Sequence, residues 1–159
     1  MPTTPKMKRA EIYMRNGSFY IRSQSKSTVG IFLWAGPIIV SEDSISAEAL
    51  GRNILDAFAF STENIPHPAN STEWSQNLKP FLEAAKVRSW KTFMNGAEAV
   101  ALKNIDGTIE LIPYINRGAK MGFDFNSEKI RVLSADCPVV ELGETIKNMF
   151  QEITSESIL

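Results

Sequence analysis

Leu50-Gly51-Arg52-Asn53-Ile54-Leu55-Asp56-Ala57-Phe58 returns near the C-terminus as Leu142-Gly143-Glu144-Thr145-Ile146-Lys147-Asn148-Met149-Phe150, so L-G-x-x-I-x-x-x-F recurs in register. Leu, Ile and Phe at i, i+4 and i+8 share one side of a 3.6-residue helix, which predicts two helices with a buried face. A glycine inside a helix costs about 1 kcal/mol relative to alanine. Its presence twice at the same place implies a steric need: without a Cβ, a strand or a second helix can approach the backbone. No catalytic group lies on this face, so the repeat speaks about fold and not about chemistry.

Around the second copy, Asp136 and Pro138 announce a helix start, and Val139, Leu142, Ile146, Met149, Phe150 and Ile153 form its apolar stripe. Ahead of the first copy, Ser44 or Ser46 can cap the helix, and Glu48 falls in its first turn, where the dipole favours an anion. Further upstream, Asn16-Gly17 separates β-rich Ala10–Met14 from Ser18–Ser23, a strong hairpin signal. Val29–Ala35 and Pro37–Val40 read as strands bent at Gly36-Pro37. Residues 61–76 read as a long loop of the kind that is functional or mobile, followed by a short helix over 78–87 that tolerates Pro80 only in its first turn. Residues 88–94, 97–103 and 108–113 read as strands separated by Asn95-Gly96 and Asp106-Gly107 turns. A second connector spans 114–126, and residues 129–133 read as the last strand. The expected architecture is a single α+β domain over residues 10–154, a largely antiparallel sheet packed against two or three helices. A flexible arm (1–9) precedes it and a frayed tail (155–159) follows.

A length of 159 residues suits one domain with a proper core, and 43% hydrophobic and 22% charged residues are ordinary for a globular chain. The net charge of −1 argues against a broad basic surface for nucleic acid. The charge is unevenly spread. Residues 1–40 carry Lys6, Lys8, Arg9, Arg15, Arg22 and Lys26 against Glu11 alone, while residues 41–75 carry Glu42, Asp43, Glu48, Asp56, Glu63 and Glu73 against Arg52 alone. The charges either mix over the folded surface or form an acidic face able to steer a basic partner. A single cysteine, Cys137, makes no internal disulfide. No signal peptide is visible at the N-terminus, and the longest apolar run, 30–40, is too short to span a membrane. A cytoplasmic protein is expected.

The common nucleotide-cradling glycine motifs are missing, and the lone histidine excludes a multi-histidine metal site. His67 and Cys137 are a conceivable nucleophile pair, but His67 lies between prolines and Cys137 precedes a helix-starting proline. Glu42 and Asp43 read as turn residues. Trp34 and Trp90 read as core. Trp74, beside Glu73 on the predicted loop, is either tucked under that loop or offered to a partner as an anchor. Phe123-Asp124 on the second connector is a comparable pair. If the tryptophan serves a partner, the expected partner-binding set is Trp74 as anchor with Glu63, Glu73 and Asp124 around it and Phe123 beside Asp124.

Gly17-Ser18-Phe19-Tyr20-Ile21, the Gly36-Pro37 bend, the Leu50-Gly51…Ile54…Ala57-Phe58 helix, Ile109–Pro113 and Glu141-Leu142-Gly143…Ile146 together resemble an immunity protein family of contact-dependent growth inhibition, CdiI. The resemblance runs from about Ala10 to Ile153. It implies a non-enzymatic cytosolic protein that binds and blocks the C-terminal toxin domain of a cognate CdiA effector, commonly a nuclease. No cofactor or metal, no direct nucleic-acid binding, no membrane association and a monomer or weak dimer are the matching expectations. The competing readings are a small-molecule-binding or enzyme domain with its site between residues 61–76 and 114–126, and a subunit of a larger assembly.

Overall fold

Asn16 and Gly17 both take positive φ, 50° and 77°, the conformation a two-residue hairpin turn requires. They join β1 (Lys8–Arg15) to β2 (Ser18–Ser27), paired with Ile12 opposite Ile21. The computed structural model describes residues 7–158, with side chains as far as residue 156. Most of the expected arm therefore lies outside the described residues, but β1 starts earlier than the sequence predicts and takes in Lys8 and Arg9.

β3 (Phe32–Glu42) pairs antiparallel with β2 as one strand and not two. Gly36, at φ 82°, and Pro37 fall in an irregularity where the register slips opposite Arg22 and Gln24. An edge-strand bulge accommodates a proline because no ladder hydrogen bond is lost there. The chain continues through α1 (Ala47–Phe60), β4 (Glu63–Ile65), α2 (Ser71–Ala85) and α3 (Trp90–Met94). It then forms β5 (Glu98–Ile105), β6 (Thr108–Asn116), β7 (Phe123–Phe125), a 3-10 turn (Ser127–Lys129), β8 (Arg131–Ser134) and α4 (Val139–Ile158). The strands lie in the order β3-β2-β1-β5-β6-β7, with β4 added parallel to β2 and β8 antiparallel to β6. The fold is α+β, and every pairing but β2–β4 is antiparallel.

Alternation along the strands sends side chains to two cores, one on each face of the sheet. Ala10, Ile12, Phe19, Ile21, Val100, Leu102, Ile109 and Leu111 meet α1 and α4, which contribute Leu50, Ile54, Phe58, Leu142, Ile146 and Phe150. The repeated stripe is thus buried in both copies. The repeated glycines explain each other: a Cβ on Gly51 would lie 2.1 Å from the carbonyl oxygen of Val139, and one on Gly143 would lie 1.8 Å from that of Ala47. Each glycine receives the first residue of the other helix. The close neighbour anticipated from sequence is the other copy of the repeat.

The opposite face carries an aromatic layer in which Tyr13, Tyr20, Phe81 and Phe93 are buried and Trp34, Trp90 and Phe123 are half-buried. It is covered by α2 and α3, where the sequence reading fails. Residues 88–94 are not a strand: Ser89 caps α3 through Thr92 N–H, and Trp90, Phe93 and Met94 recur at helical spacing. Residues 61–76 are not a loop, because they hold β4 and the start of α2. Asn70 caps that helix by accepting from Glu73 N–H. Pro80 lies in the helix interior and has no N–H for the carbonyl of Gln76. The neighbouring Asn77 carbonyl accepts from Arg22 Nη1 at 2.8 Å, and Asn77 Nδ2 donates to Trp34 O at 2.7 Å, so the proline-disturbed turn is tied to the sheet. At the C-terminus, α4 continues through residues 155–158, where fraying was expected.

Candidate functional site

The chemistry-bearing group nearest the middle of the sheet is Glu11 on β1, 7% exposed. Strand pairing brings Gln24, Trp34 and Tyr114 around it from β2, β3 and β6. Trp34 Nε1 donates to Glu11 Oε1 at 2.7 Å, Gln24 Nε2 donates to the same oxygen at 3.2 Å, and Tyr114 Oη donates to Oε2 at 2.6 Å. Burial beside this carboxylate pushes the phenols of Tyr13 and Tyr114 well above the ordinary tyrosine range, burial being the larger cause in both. Arg22 is almost wholly buried on the next strand, its guanidinium 5.7 Å from the Trp34 ring centre and its Nε without a hydrogen-bond partner. Burial lowers its pKa. Both Glu11 oxygens are occupied by donors from other strands, an arrangement that fixes strand positions and presents no open coordination place.

The expected partner-binding residues fall in two groups. Trp74 is on α2 and not on a loop, 45% exposed, with its ring edge-on to His67 at 5.5 Å. Glu73 accepts from Ala69 N–H, closing the helix start, and is solvent-exposed. Glu63 is exposed on β4, at the β2 end of the sheet. Phe123 and Asp124 are on β7, beyond β1, β5 and β6. Phe123 packs into the aromatic layer against Tyr13 and Tyr114, while Asp124 forms an exposed ion pair with Arg117. Trp74, Glu73 and Glu63 belong to consecutive elements. Phe123 and Asp124 lie at the opposite edge of the sheet and do not surround the tryptophan.

His67 and Cys137 have separate surroundings. His67 Nδ1 is 3.1 Å from Ser27 Oγ, whereas Cys137 precedes α4 and packs against the α1/α4 core. Desolvation, with Glu141 and Asp136 nearby, pushes the Cys137 thiol up, the wrong direction for a nucleophile. Among the described residues, no three His, Cys, Asp or Glu side chains group as metal ligands, and no helix is long and apolar enough to cross a membrane.

A cavity of about 480 Å³ opens where β5 begins and β6 ends, with the last turns of α4 completing it, and it is more enclosed than the shallower hollows of about 490 to 580 Å³ elsewhere on the surface. Residues 113–116 and Asn126 belong to it, but residues 61–76 do not. Among the described residues that line it, the acids are Glu98, Glu152 and Glu156 and the one base is Lys129. No spacing in the sequence reveals it, since its walls come from four separate segments.

Residues 8–152 match the family described as CDI immunity protein, CdiI. No curated protein matches the sequence. Among solved structures, a protein of unknown function from Neisseria meningitidis superposes with a TM-score of 0.74 at 13% identity, over 91% of this chain and 93% of that one. The CdiA-CT/CdiI toxin and immunity complex from Yersinia pseudotuberculosis contains a chain that superposes with a TM-score of 0.71 at 13% identity, over 87% of this chain and 92% of that one.

Proposed function

The chain belongs to the CDI immunity protein family, and from that premise we propose that it binds and neutralises the C-terminal toxin domain of a cognate CdiA effector in the cytoplasm, with no turnover of its own. The observation that carries this reading is the family match across residues 8–152, which takes in every strand, the whole of α1, and α4 as far as Glu152. The similar fold in a toxin and immunity complex supports it.

The toxin is a nuclease in this reading. Nucleases hold a polyanion in a basic cleft, and exposed acids on an inhibitor complement such a cleft and speed encounter. Glu73 offers such an acid next to the half-exposed Trp74, Glu63 offers one on the preceding strand β4, and Asp124 offers another at the opposite sheet edge, beside Phe123. Trp74 is the apolar anchor of the interface and the acids form its rim.

Co-expression tests the reading. Bacteria producing the C-terminal toxin domain of the cognate CdiA effector should stop growing, and producing this protein with it should restore growth. His67→Ala combined with Cys137→Ser should protect equally well. Failure of the folded parent protein to protect would refute the proposal, and loss of protection by the folded double variant would reopen catalysis.

A further inference from the structure

Glu98, the first residue of β5, projects towards α4, where its two oxygens accept from Thr154 Oγ1 at 2.8 and 3.0 Å. Among the described residues it takes part in no ion pair. A carboxylate has about four lone-pair sites, and one hydroxyl leaves most of that capacity facing the adjoining cavity. Burial raises its pKa and the Thr154 hydrogen bond acts in the opposite direction, a balance that a nearby cation would tip towards the charged form.

The cavity itself is mainly apolar, with Ala97, Pro113, Met149 and Ile153 in its walls and Ile115 at its rim. Around that lining stand three acids and one base, and Lys129 is already engaged with Glu156 at 3.6 Å while Glu152 pairs with Arg131 outside the cavity. The C-terminal turns of α4 add the negative end of a helix dipole. An apolar slot with a cation-less carboxylate in its wall fits a long aliphatic stem ending in a positive charge, which buries its methylenes while its head finds an acid.

We propose that this cavity receives a lysine or arginine side chain of the bound toxin domain, with the stem against Met149 and Ile153 and the head on Glu98. The inference rests on the immunity reading and names the part of the surface that engages the toxin. A basic toxin supplies the occupant, and net acidity with an apolar floor selects it over an anionic or purely apolar one.

Titration calorimetry with the toxin domain tests this, using Glu98→Gln, which preserves shape and the Thr154 contact, and Ile115→Trp, which fills the slot from its exposed rim. Each variant, with a thermal transition like the parent's, should bind the toxin at least about 30-fold more weakly, Glu98→Gln by losing one partner of a buried charge pair and Ile115→Trp by blocking the slot. Parent-like affinity in both folded variants overturns the cavity assignment and leaves the immunity reading standing. Absence of toxin binding by the parent overturns both. A titration of the free protein with 1,5-diaminopentane, followed by NMR, separates the sources: saturation in the micromolar range, abolished in Glu98→Gln, would assign the cavity to a free amine and overturn the toxin assignment.

Discussion

Gly143→Ala is the sharpest perturbation of the fold. A methyl group there would sit 1.8 Å from the carbonyl oxygen of Ala47, 2.6 Å from its carbon and 2.9 Å from its Cα, all backbone atoms. Real Cβ contacts stay beyond about 3.0 Å, so the α1 backbone must withdraw by about 1.2 Å, which no rotamer change can provide. A gap of 0.5–1 Å already forfeits roughly a quarter to a half of a dispersion contact, and the gap here runs along a seam that includes fully buried Leu50, Ile54, Leu142 and Ile146. Overpacking typically costs about 1–3 kcal/mol and occasionally more, while alanine recovers about 1 kcal/mol of helix propensity. With rigid backbone as the obstacle the cost lies at or just above the top of that range, about 3–4 kcal/mol, so a net loss of about 2–3 kcal/mol is expected. Urea denaturation should show this as a lower midpoint at unchanged slope, and thermal unfolding as a drop of about 4–12 °C. A variant stabilised by about 1 kcal/mol, as propensity alone dictates, would refute the reasoning.

Ile146→Ala, at a fully buried position of the same seam, should lose about 2–5 kcal/mol in the same assay, and a loss below about 0.5 kcal/mol would contradict its burial. Tyr13 and Tyr114 have folded-state pKa values above the unfolded value, so their contribution is intact below about pH 10 and is lost as pH rises through and beyond that point, where the unfolded chain releases protons first. Stability should fall by up to about 1.4 kcal/mol per pH unit for each phenol, and Tyr114→Phe should flatten the slope of an alkaline denaturation series. Trp74→Ala should weaken toxin binding by about 2–4 kcal/mol without unfolding the protein, while neutral variants of Glu63, Glu73 and Asp124 should slow association most at low salt. Parent-like stopped-flow rates at every ionic strength would move the interface elsewhere.

What the sequence makes legible is local or periodic. The L-G-x-x-I-x-x-x-F stripe repeats at helical spacing, and Asn16-Gly17 announces a turn by its own backbone preferences, so both helices and the first hairpin can be read directly. Residues 61–76 mislead because Pro66, Pro68 and Pro80 outweigh a quieter signal, Asn70 followed three residues later by Glu73, which is a helix start. The aromatic content of 88–94 suggests a strand, but its burial against the other rings of the layer favours a capped helical turn. The Glu11 network stays hidden for a different reason: Glu11, Gln24, Trp34 and Tyr114 lie on four strands, and only the sheet order makes them neighbours. Glu98 and the cavity beside it depend in the same way on the docking of α4. The separation of Asp124 from Trp74 follows from strand order too, which no spacing along the chain discloses.

The central claim is direct recognition of a toxin, and titration calorimetry of the purified protein against the C-terminal domain of the CdiA effector proposed as its partner, with toxin activity followed in parallel, tests it most directly. The account predicts a one-to-one complex with a dissociation constant of about 10 nM or tighter, as standard-size protein interfaces can reach, and toxin activity falling to background at equivalence. A folded protein that gives no heat with the toxin and leaves its activity untouched at micromolar concentration would contradict it.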